Sequence, residues 1–329
     1  MKTAIRNRLN ILLYILFLSS CIPPTQEAPS DPRSFDNSHT DLLEVGYALP
    51  IFEDFMYAME KTRLTYIMEE EGPYTIFAPI QVSFAEFRTE KKIYHIDQFP
   101  EEKLSEILRY HILPGNWSLL NMPNGYYPTL LEEKTSGNPI DLFIDYNFIF
   151  KINGLNIIFQ DDIVSANGLI HAIKKVLKIP SMQDQLYFNE DFSLIFELLQ
   201  RSDLDPELKL LLSDEIPDTF FAPTNTAVLA FLNRNPDWET IDDIPAKSLN
   251  EMIKNHLVSS ENIVLNKFKE DVSLKTLKGE MMTVKIDYPK WSIVYENKKI
   301  ASINIRDIQG ANGIIHQVDN ILMPSIQNQ

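Results

Sequence analysis

The sequence predicts an α+β protein built from two tandem copies of one domain. Three short blocks support this, because each occurs twice, in the same order and at nearly the same offset of about 145 residues. The blocks and their second copies are Tyr74–Pro79 with Asp218–Pro223, Tyr110-His111 with Asn255-His256, and Asn167–Ile173 with Asn312–Val318. Three ordered matches at one offset indicate a duplicated folding unit.

The third block predicts a central β-strand that is entered through a tight turn. Asn167-Gly168 and Asn312-Gly313 favour positive φ at both positions, as a two-residue hairpin turn requires. The residues that follow are apolar on both faces of the predicted strand, which is typical of a strand inside a sheet. Pro180 and Pro324 lack a backbone N–H group and are expected to end the segment.

Four of the six histidines occupy matching positions in the two copies, namely His111, His171, His256 and His316. Each has two interpretations: a buried neutral ring bonded to backbone or hydroxyl groups, or a metal ligand or catalytic base. We favour the first, because no carboxylate is expected to recur beside both members of a pair. The predicted structural residues are Asn167, Gly168, His171, His256, Asn312, Gly313 and His316.

In the first copy, apolar residues at helical spacing between Phe52 and Met59 predict a helix with one packed face. Further elements are expected as a strand at Tyr74–Ala78, a helix from Ser83, a helix at Pro100–Leu113, and a strand-rich region at Trp117–Phe159. Within that region, Asn124-Gly125 and Asn153-Gly154 are predicted hairpin tips. Aromatic and β-branched residues fill Asp141–Ile152; they either form a sheet core or, facing outward, a patch for sugar stacking or protein binding.

The second copy repeats this order of elements. We expect helices in Asp184–Leu212, a strand at Thr219–Ala222, helices at Ala227–Leu232 and Ser248–Leu257, and strands in Leu274–Ile308. Thr224 or Asn225 supplies an N-cap for its helix, whereas Ile80-Gln81 in the first copy supplies none. The linker after Pro180 is short and lacks glycine and serine repeats, so the two domains are expected to touch.

These blocks resemble the fasciclin (FAS1) domain. The Phe-Ala-Pro block, the Tyr-His position and the Asn-Gly-x-Ile-His block follow one another as in that family. The resemblance covers two units, residues 41–180 and 184–325, and implies a β-sheet wedge flanked by short helices in each. The sequence departs from the family pattern at Ile80, Val228 and Asn255, where Thr, Phe and Tyr are usual.

The resemblance also implies a function. Fasciclin domains are mostly extracellular adhesion or matrix-binding modules without cofactors. In animal members, partner contact has been linked to an Asp-Ile pair and to the Tyr-His pair. The matching candidates for partner binding here are Tyr110, His111, Asp162, Ile163, Asp307 and Ile308.

The amino terminus resembles a bacterial lipoprotein signal. Residues 1–20 carry a positive start and an apolar stretch too short to span a bilayer. Leu18-Ser19-Ser20-Cys21 resembles a lipobox, so Cys21 is the expected site of lipidation, and residues 21–40 form a proline-interrupted tether. The alternative is an ordinary cleaved signal peptide. Cys21 is the single cysteine, which excludes an intramolecular disulfide.

Composition and motifs argue against several classes of function. The formal net charge is −16, which does not fit nucleic-acid binding or adhesion to anionic lipid by charge. The sequence contains no Gly-x-Ser-x-Gly elbow, no Walker loop, no His-Glu-x-x-His helix and no paired-cysteine zinc motif. We therefore expect no cofactor and no metal.

Together these observations predict a non-enzymatic cell-envelope lipoprotein with two fasciclin domains, attached through Cys21 to a membrane, at the outer membrane on an undecided face. Its expected partner is an unidentified protein or glycan, and the protein itself is expected to act as an accessory subunit of a glycan-capture complex. Two alternatives stay open: a hydrolase whose catalytic groups converge from distant positions, and a structural spacer.

Overall fold

The computed structural model describes residues 39–212, 216–296 and 298–323. The described residues belong to one compact unit of the chain. The predicted signal peptide, the lipidation site Cys21, most of the tether, Pro324 and the end of the second domain at residue 325 lie outside them.

Among the described residues, helices and strands follow the same order in both halves of the chain: three helices, one strand, two helices and six strands. In the first half they are α1 Leu42–Ala48, α2 Glu53–Lys61, α3 Tyr66–Glu69, β1 Tyr74–Pro79, α4 Gln81–Lys91, α5 Glu101–Tyr110, β2 Ile112–Pro114, β3 Gly125–Glu132, β4 Pro139–Asn147, β5 Ile149–Ile152, β6 Ile158–Ser165 and β7 Gly168–Ile173. In the second half they are α6 Met182–Phe188, α7 Ser193–Gln200, α8 Pro206–Leu211, β8 Asp218–Pro223, α9 Asn225–Leu232, α10 Ala246–His256, β9 Leu257–Val258, β10 Val272–Lys275, β11 Met281–Asp287, β12 Lys290–Tyr295, β13 Lys298–Gly310 and β14 Gly313–Val318.

A parallel pair of strands lies at the centre of each half. In the first, β1 pairs with β7 in a sheet of order β2-β1-β7-β6, with Phe77 opposite His171. In the second, β8 pairs with β14 in the same way, with Phe221 opposite His316. All residues of β7, β8 and β14 are buried. The prediction of an α+β fold with a buried central strand after each Asn-Gly is confirmed.

The two halves differ in how their remaining strands pair. In the second, the long strand β13 pairs with both β12 and β14, so that seven strands form one sheet. In the first, β3, β4 and β5 form a sheet of their own, and β6 pairs with β7. Asn153 and Gly154, with φ of 50° and 76°, turn the chain directly after β5, where only Ile152 and Leu155 bridge. This tight turn separates β5 from β6 in the first half, whereas the corresponding strands of the second half, β12 and β13, pair with each other.

Local expectations were met at some positions. Thr224 caps α9 by accepting a hydrogen bond from the Ala227 N–H at 3.2 Å, whereas Ile80 gives α4 no side-chain cap, as predicted. The domains touch, as their short linker predicted: the Asn262 amide of the second contacts the Glu133 carboxylate of the first at 2.8 Å.

Three expectations were wrong. The helix predicted at Pro100–Leu113 ends at Tyr110, because Ile112–Pro114 pairs with β1. Asn124-Gly125 is not a hairpin tip; it leads from a 3₁₀ turn into β3. The turn before β7 consists of Ala166 and Asn167, since Ser165 already pairs with Gly168, and Asn167 does not have positive φ.

Gly168 is therefore needed for close approach and not for the turn itself. A Cβ at this residue would lie 2.0 Å from the carbonyl oxygen of Tyr74 on the neighbouring strand. The equivalent Cβ at Gly313 would lie 2.4 Å from the carbonyl oxygen of Asp218. Only glycine lets the two central strands start side by side.

We predict that Gly168→Ala lowers the free energy of unfolding by about 3 kcal/mol or more, because backbone atoms must move apart. Gly125→Ala is the matched control, since Gly125 has a similar φ of 151° but open space around its Cβ. The control should cost about 1 kcal/mol, from backbone strain alone. Urea unfolding measures both values, and equal losses would contradict the role of close approach.

Candidate functional site

The asparagine of each Asn-Gly pair joins the first helix of its domain to the last strand. The Asn167 Oδ1 atom accepts the Leu42 N–H at 2.8 Å, and its Nδ2 donates to the carbonyls of Met68 and Glu70 at 2.8 and 2.7 Å. Asn312 accepts the Met182 N–H at 2.8 Å in the second domain. The side chain is consumed by internal hydrogen bonds, so it serves the fold.

The histidine of each central strand is buried and bonded to backbone on both ring nitrogens. His171 Nδ1 accepts the Asp162 N–H at 3.1 Å, and its Nε2 donates to the Trp117 carbonyl at 2.8 Å. His316 repeats this with the Asp307 N–H and the Ile263 carbonyl. A nitrogen that accepts an N–H bond carries no proton, so the ring is neutral. Burial lowers the pKa of both rings, that of His316 to about 3.

The histidine at the end of each long helix fixes the segment that follows the central strand. The Leu177 N–H donates to His111 Nε2 at 2.9 Å, and the Leu322 N–H donates to His256 Nε2 at 2.8 Å. Both rings are fully buried, and burial lowers the pKa of each to about 4. These rings are neutral at physiological pH and have no free nitrogen for catalysis.

One sequence expectation about the histidines was wrong, because a carboxylate does recur beside both strand histidines. The Asp162 Oδ1 atom lies 3.6 Å from His171 Nδ1, and the Asp307 Oδ1 atom lies 3.8 Å from His316 Nδ1. The two aspartates have positive φ, 48° and 61°, at irregular points of β6 and β13. This conformation aims the backbone N–H at the ring, so the contact positions the histidine through the main chain.

The carboxylates of these aspartates cap short 3₁₀ turns. Asp162 accepts the Ser118 hydroxyl at 2.7 Å and the Leu119 N–H at 3.2 Å. Asp307 accepts the Leu265 and Asn266 N–H groups at 2.6 and 2.9 Å. Burial raises the pKa of Asp307, although these bonds oppose the shift. Asp162 and Asp307 thus have the same structural role, each in its own domain.

The other residues that the resemblance suggested for partner contact are buried. Ile163 and Ile308 belong to the hydrophobic cores, and His111 is enclosed. Tyr110 donates its hydroxyl proton to the Asp141 carbonyl at 3.1 Å and accepts from Asn153 Nδ2 at 2.8 Å. Among the six candidates, Asp162 has the most accessible side chain, at 30%. The geometry therefore gives these residues internal roles and does not assemble them into a binding surface.

Asn255, which replaces the tyrosine of the Tyr-His pair, fits its position less well. It is fully buried, and neither its amide nitrogen nor its amide oxygen has a hydrogen-bond partner among the described residues. Tyr110 at the matching place satisfies its hydroxyl twice. The substitution leaves the second domain with a buried amide that costs stability.

A groove of about 630 Å³ in the first domain is the candidate place for a composite catalytic site. It is lined by Thr62, Glu101, Glu102, Ser105, Glu106, Arg109, Leu130, Leu131, Glu132 and Lys134. Burial favours the neutral acid at Glu106, but hydrogen bonds from Lys134 and Lys103 lower its pKa overall. A glutamate that two lysines keep ionised, as at Glu106, does not supply a general acid at neutral pH. No group of three His, Cys, Asp or Glu suitable for a metal ion occurs within the described ranges.

An exposed apolar cluster lies at the tip of the β4–β5 hairpin. Phe148 is 94% exposed, Tyr146 59% and Ile149 50%, while Leu142 and Ile144 of the same hairpin are in the core. The sheet-core interpretation of Asp141–Ile152 is therefore confirmed for the strand interior, whereas the residues at the tip face outward and their use in binding stays a prediction. The strand interior packs, and the tip, which we call the aromatic tip (Tyr146, Phe148 and Ile149), faces solvent. At the matching β11–β12 turn, Tyr288 is 85% exposed.

A profile described as the fasciclin domain matches residues 50–180 and 190–324. The chain belongs to the fasciclin domain family and carries two tandem copies of the domain.

Several known proteins are similar to this chain. Rat stabilin-2 is 28% identical over 65% of this chain and 15% of its own length. Pig transforming growth factor-beta-induced protein ig-h3 is 25% identical over 82% of this chain and 37% of its own length. Human periostin is 27% identical over 80% of this chain and 29% of its own length. The chain thus spans well under half the length of these relatives.

A solved structure of a FAS1 domain pair, from the insect cell adhesion molecule Fasciclin I, is also similar to this chain. It has 18% sequence identity and a TM-score of 0.47, covering 86% of this chain and 97% of that one. In the described part of the present chain, no helix has the length and hydrophobicity needed to cross a membrane.

Proposed function

We propose that this protein is a non-enzymatic binding module of the cell envelope that uses its two fasciclin domains to hold a protein or glycan ligand. Membership of the fasciclin family supports a binding role. The observation that carries the proposal is the aromatic tip, where apolar side chains lie open to solvent while the motif residues are buried. Exposed aromatic residues stack on sugars or pack into protein pockets, and both uses fit a binding module.

The proposal includes a lipid anchor at Cys21 and a place at the outer membrane. The lipobox-like Leu18-Ser19-Ser20-Cys21 and the apolar segment before it support this. The proline-interrupted tether would hold the domains away from the lipid surface. An accessory role in glycan capture follows if the ligand is a sugar.

The lipid anchor predicts that a Cys21→Ser variant is lost from the membrane fraction. Retention of this variant in the membrane fraction, equal to that of the parent chain, would contradict the anchor.

Hydrolysis is the weaker candidate function. The buried histidines are neutral and fully bonded, and Glu106 in the carboxylate groove has a lowered pKa. Neither arrangement supplies a proton donor at neutral pH. We therefore do not assign a reaction to this groove.

The binding proposal predicts that Phe148→Ser weakens ligand binding at least about tenfold, because a buried Phe contributes about 1.5–3 kcal/mol. Tyr288→Ser is the matched control, since Tyr288 is similarly exposed at the equivalent hairpin of the second domain. A glycan array and affinity capture from envelope extract identify the ligand, and titration of that ligand measures each variant. Equal binding by both variants would contradict the role of the aromatic tip. If the parent chain binds no ligand in both assays, the proposed function is overturned.

A further inference from the structure

The two fasciclin domains meet along a polar seam, and Asp141 of β4 lies at its centre. The Gln309 N–H of the second domain donates to the Asp141 carboxylate at 2.8 Å. The Gln185 side-chain amide donates to the Asp141 backbone carbonyl at 2.6 Å and to the Gln309 carbonyl at 3.1 Å. Asp141 is 6% exposed, and the two glutamines are fully buried. A carboxyl group is therefore enclosed at the contact between the two domains.

Further hydrogen bonds surround this centre. The Asn262 amide donates to Glu133 Oε2 and to the Ser136 hydroxyl, both at 2.8 Å. The Lys267 ammonium donates to the Ser136 carbonyl at 2.7 Å, and the Asn138 amide donates to Gln309 Oε1 at 3.1 Å. Around Asp141 the seam is thus built mainly from polar contacts, which lose less than an apolar interface when water enters, and Tyr126 adds an apolar contact with the core of the second domain.

The Asp141 carboxyl group lacks a compensating charge. Within the described residues it forms no ion pair, and the charge that acts on it most is another carboxylate, Asp307. Burial raises the pKa of Asp141 to about 7, and the bond from Gln309 only partly opposes this. Titratable groups on the packed elements are Tyr110 on α5, Tyr126 on β3, Asp184 on α6 and Asp307 on β13, with Glu133 and Lys267 at the rim of the seam.

We propose that Asp141 is a proton-operated lock on the domain pair: the neutral acid keeps the seam closed, and the carboxylate loosens it. Opening exposes the group to water, where its pKa returns to about 3.8. The closed state therefore binds a proton more tightly, so closure is favoured as pH falls from about 7 towards 4. The neutral acid also offers an O–H donor, and the seam holds an acceptor, Gln185 Oε1, that lacks a partner among the described residues.

Glu133 and the two buried tyrosines of the seam do not mimic this behaviour near neutral pH. Burial favours the neutral acid at Glu133, but hydrogen bonds within its own turn lower its pKa overall, so it stays ionised near neutral pH. The buried tyrosines Tyr110 and Tyr126 have pKa values raised by burial and stay neutral. Asp307 is the one competing carboxyl group among those named, since burial raises its pKa too. A variant at Asp141 that leaves Asp307 intact separates the two.

The test is amide hydrogen exchange of the full chain between pH 6 and 8, corrected for the intrinsic exchange rate. The reporter is the backbone amide N–H of Gln309, which donates to the Asp141 carboxylate. Linkage with pKa values of about 7 closed and 3.8 open predicts that seam opening rises about fivefold from pH 6 to 7 and less than twofold from pH 7 to 8. Asp141→Asn, neutral at every pH, should abolish this dependence.

Asp145→Asn is the matched control. Asp145 lies on the same strand but bonds Asn124 and Lys151 of its own domain, so this variant should keep the parent profile. A flat profile in the parent chain overturns the proposal, as does an unchanged slope in Asp141→Asn, which would assign the proton to Asp307. Carbon-13 titration of the Asp141 carboxyl in the parent chain is a second measurement that needs no variant. A midpoint near 4 would also overturn the lock.

Discussion

The parallel pairing of the first and last strands of each domain is the constraint on which the rest of the structure depends. Tyr74 and Gly168 face each other at the start of this pair, as do Asp218 and Gly313. Since these strands lie far apart in sequence, their pairing closes a loop that contains almost the whole domain, and the entropy of closure must be offset at the contact. A glycine permits the backbones to approach, and the asparagine before it fastens the first helix to the same point.

The remaining motif residues extend this constraint outward. The strand histidine bonds the backbone at Asp162 or Asp307, and each aspartate caps the next turn. These hydrogen bonds occupy the donors and acceptors of the histidine and aspartate side chains, which a reactive site would need free. The motif residues are therefore part of the internal framework of each domain. The proposed binding role falls to the aromatic tip, which lies outside the motif and is exposed.

Much of the fold was predictable because duplication displays each signal twice. The central strands, the Thr224 cap and the turn at Asn153-Gly154 all follow from local chemistry that a sequence shows directly. The shifted turn at Ala166-Asn167 was missed because its position depends on the approach of a strand distant in sequence. The end of α5 was missed for the same reason, since Ile112 pairs with β1.

The aromatic tip and the seam, on which the two proposals rest, were less predictable. The sequence around Asp141 is that of an ordinary half-buried strand. The burial of its side chain depends on Gln185 and Gln309 from the second domain. No spacing in the sequence indicates that contact. The aromatic tip was visible as a run of aromatic residues, but only the hairpin bend at Phe148, with φ of 63°, decides which of them face solvent.

The central claim is that the recurring histidines support the fold and are not reactive. Nitrogen-15 NMR of the imidazole rings between pH 5 and 8 tests this most directly. Each ring should stay neutral throughout, with one protonated nitrogen, because its other nitrogen accepts a buried backbone N–H and burial lowers the pKa of all four, namely His111, His171, His256 and His316. Titration of any of the four rings with a midpoint near 6.5 would contradict the account.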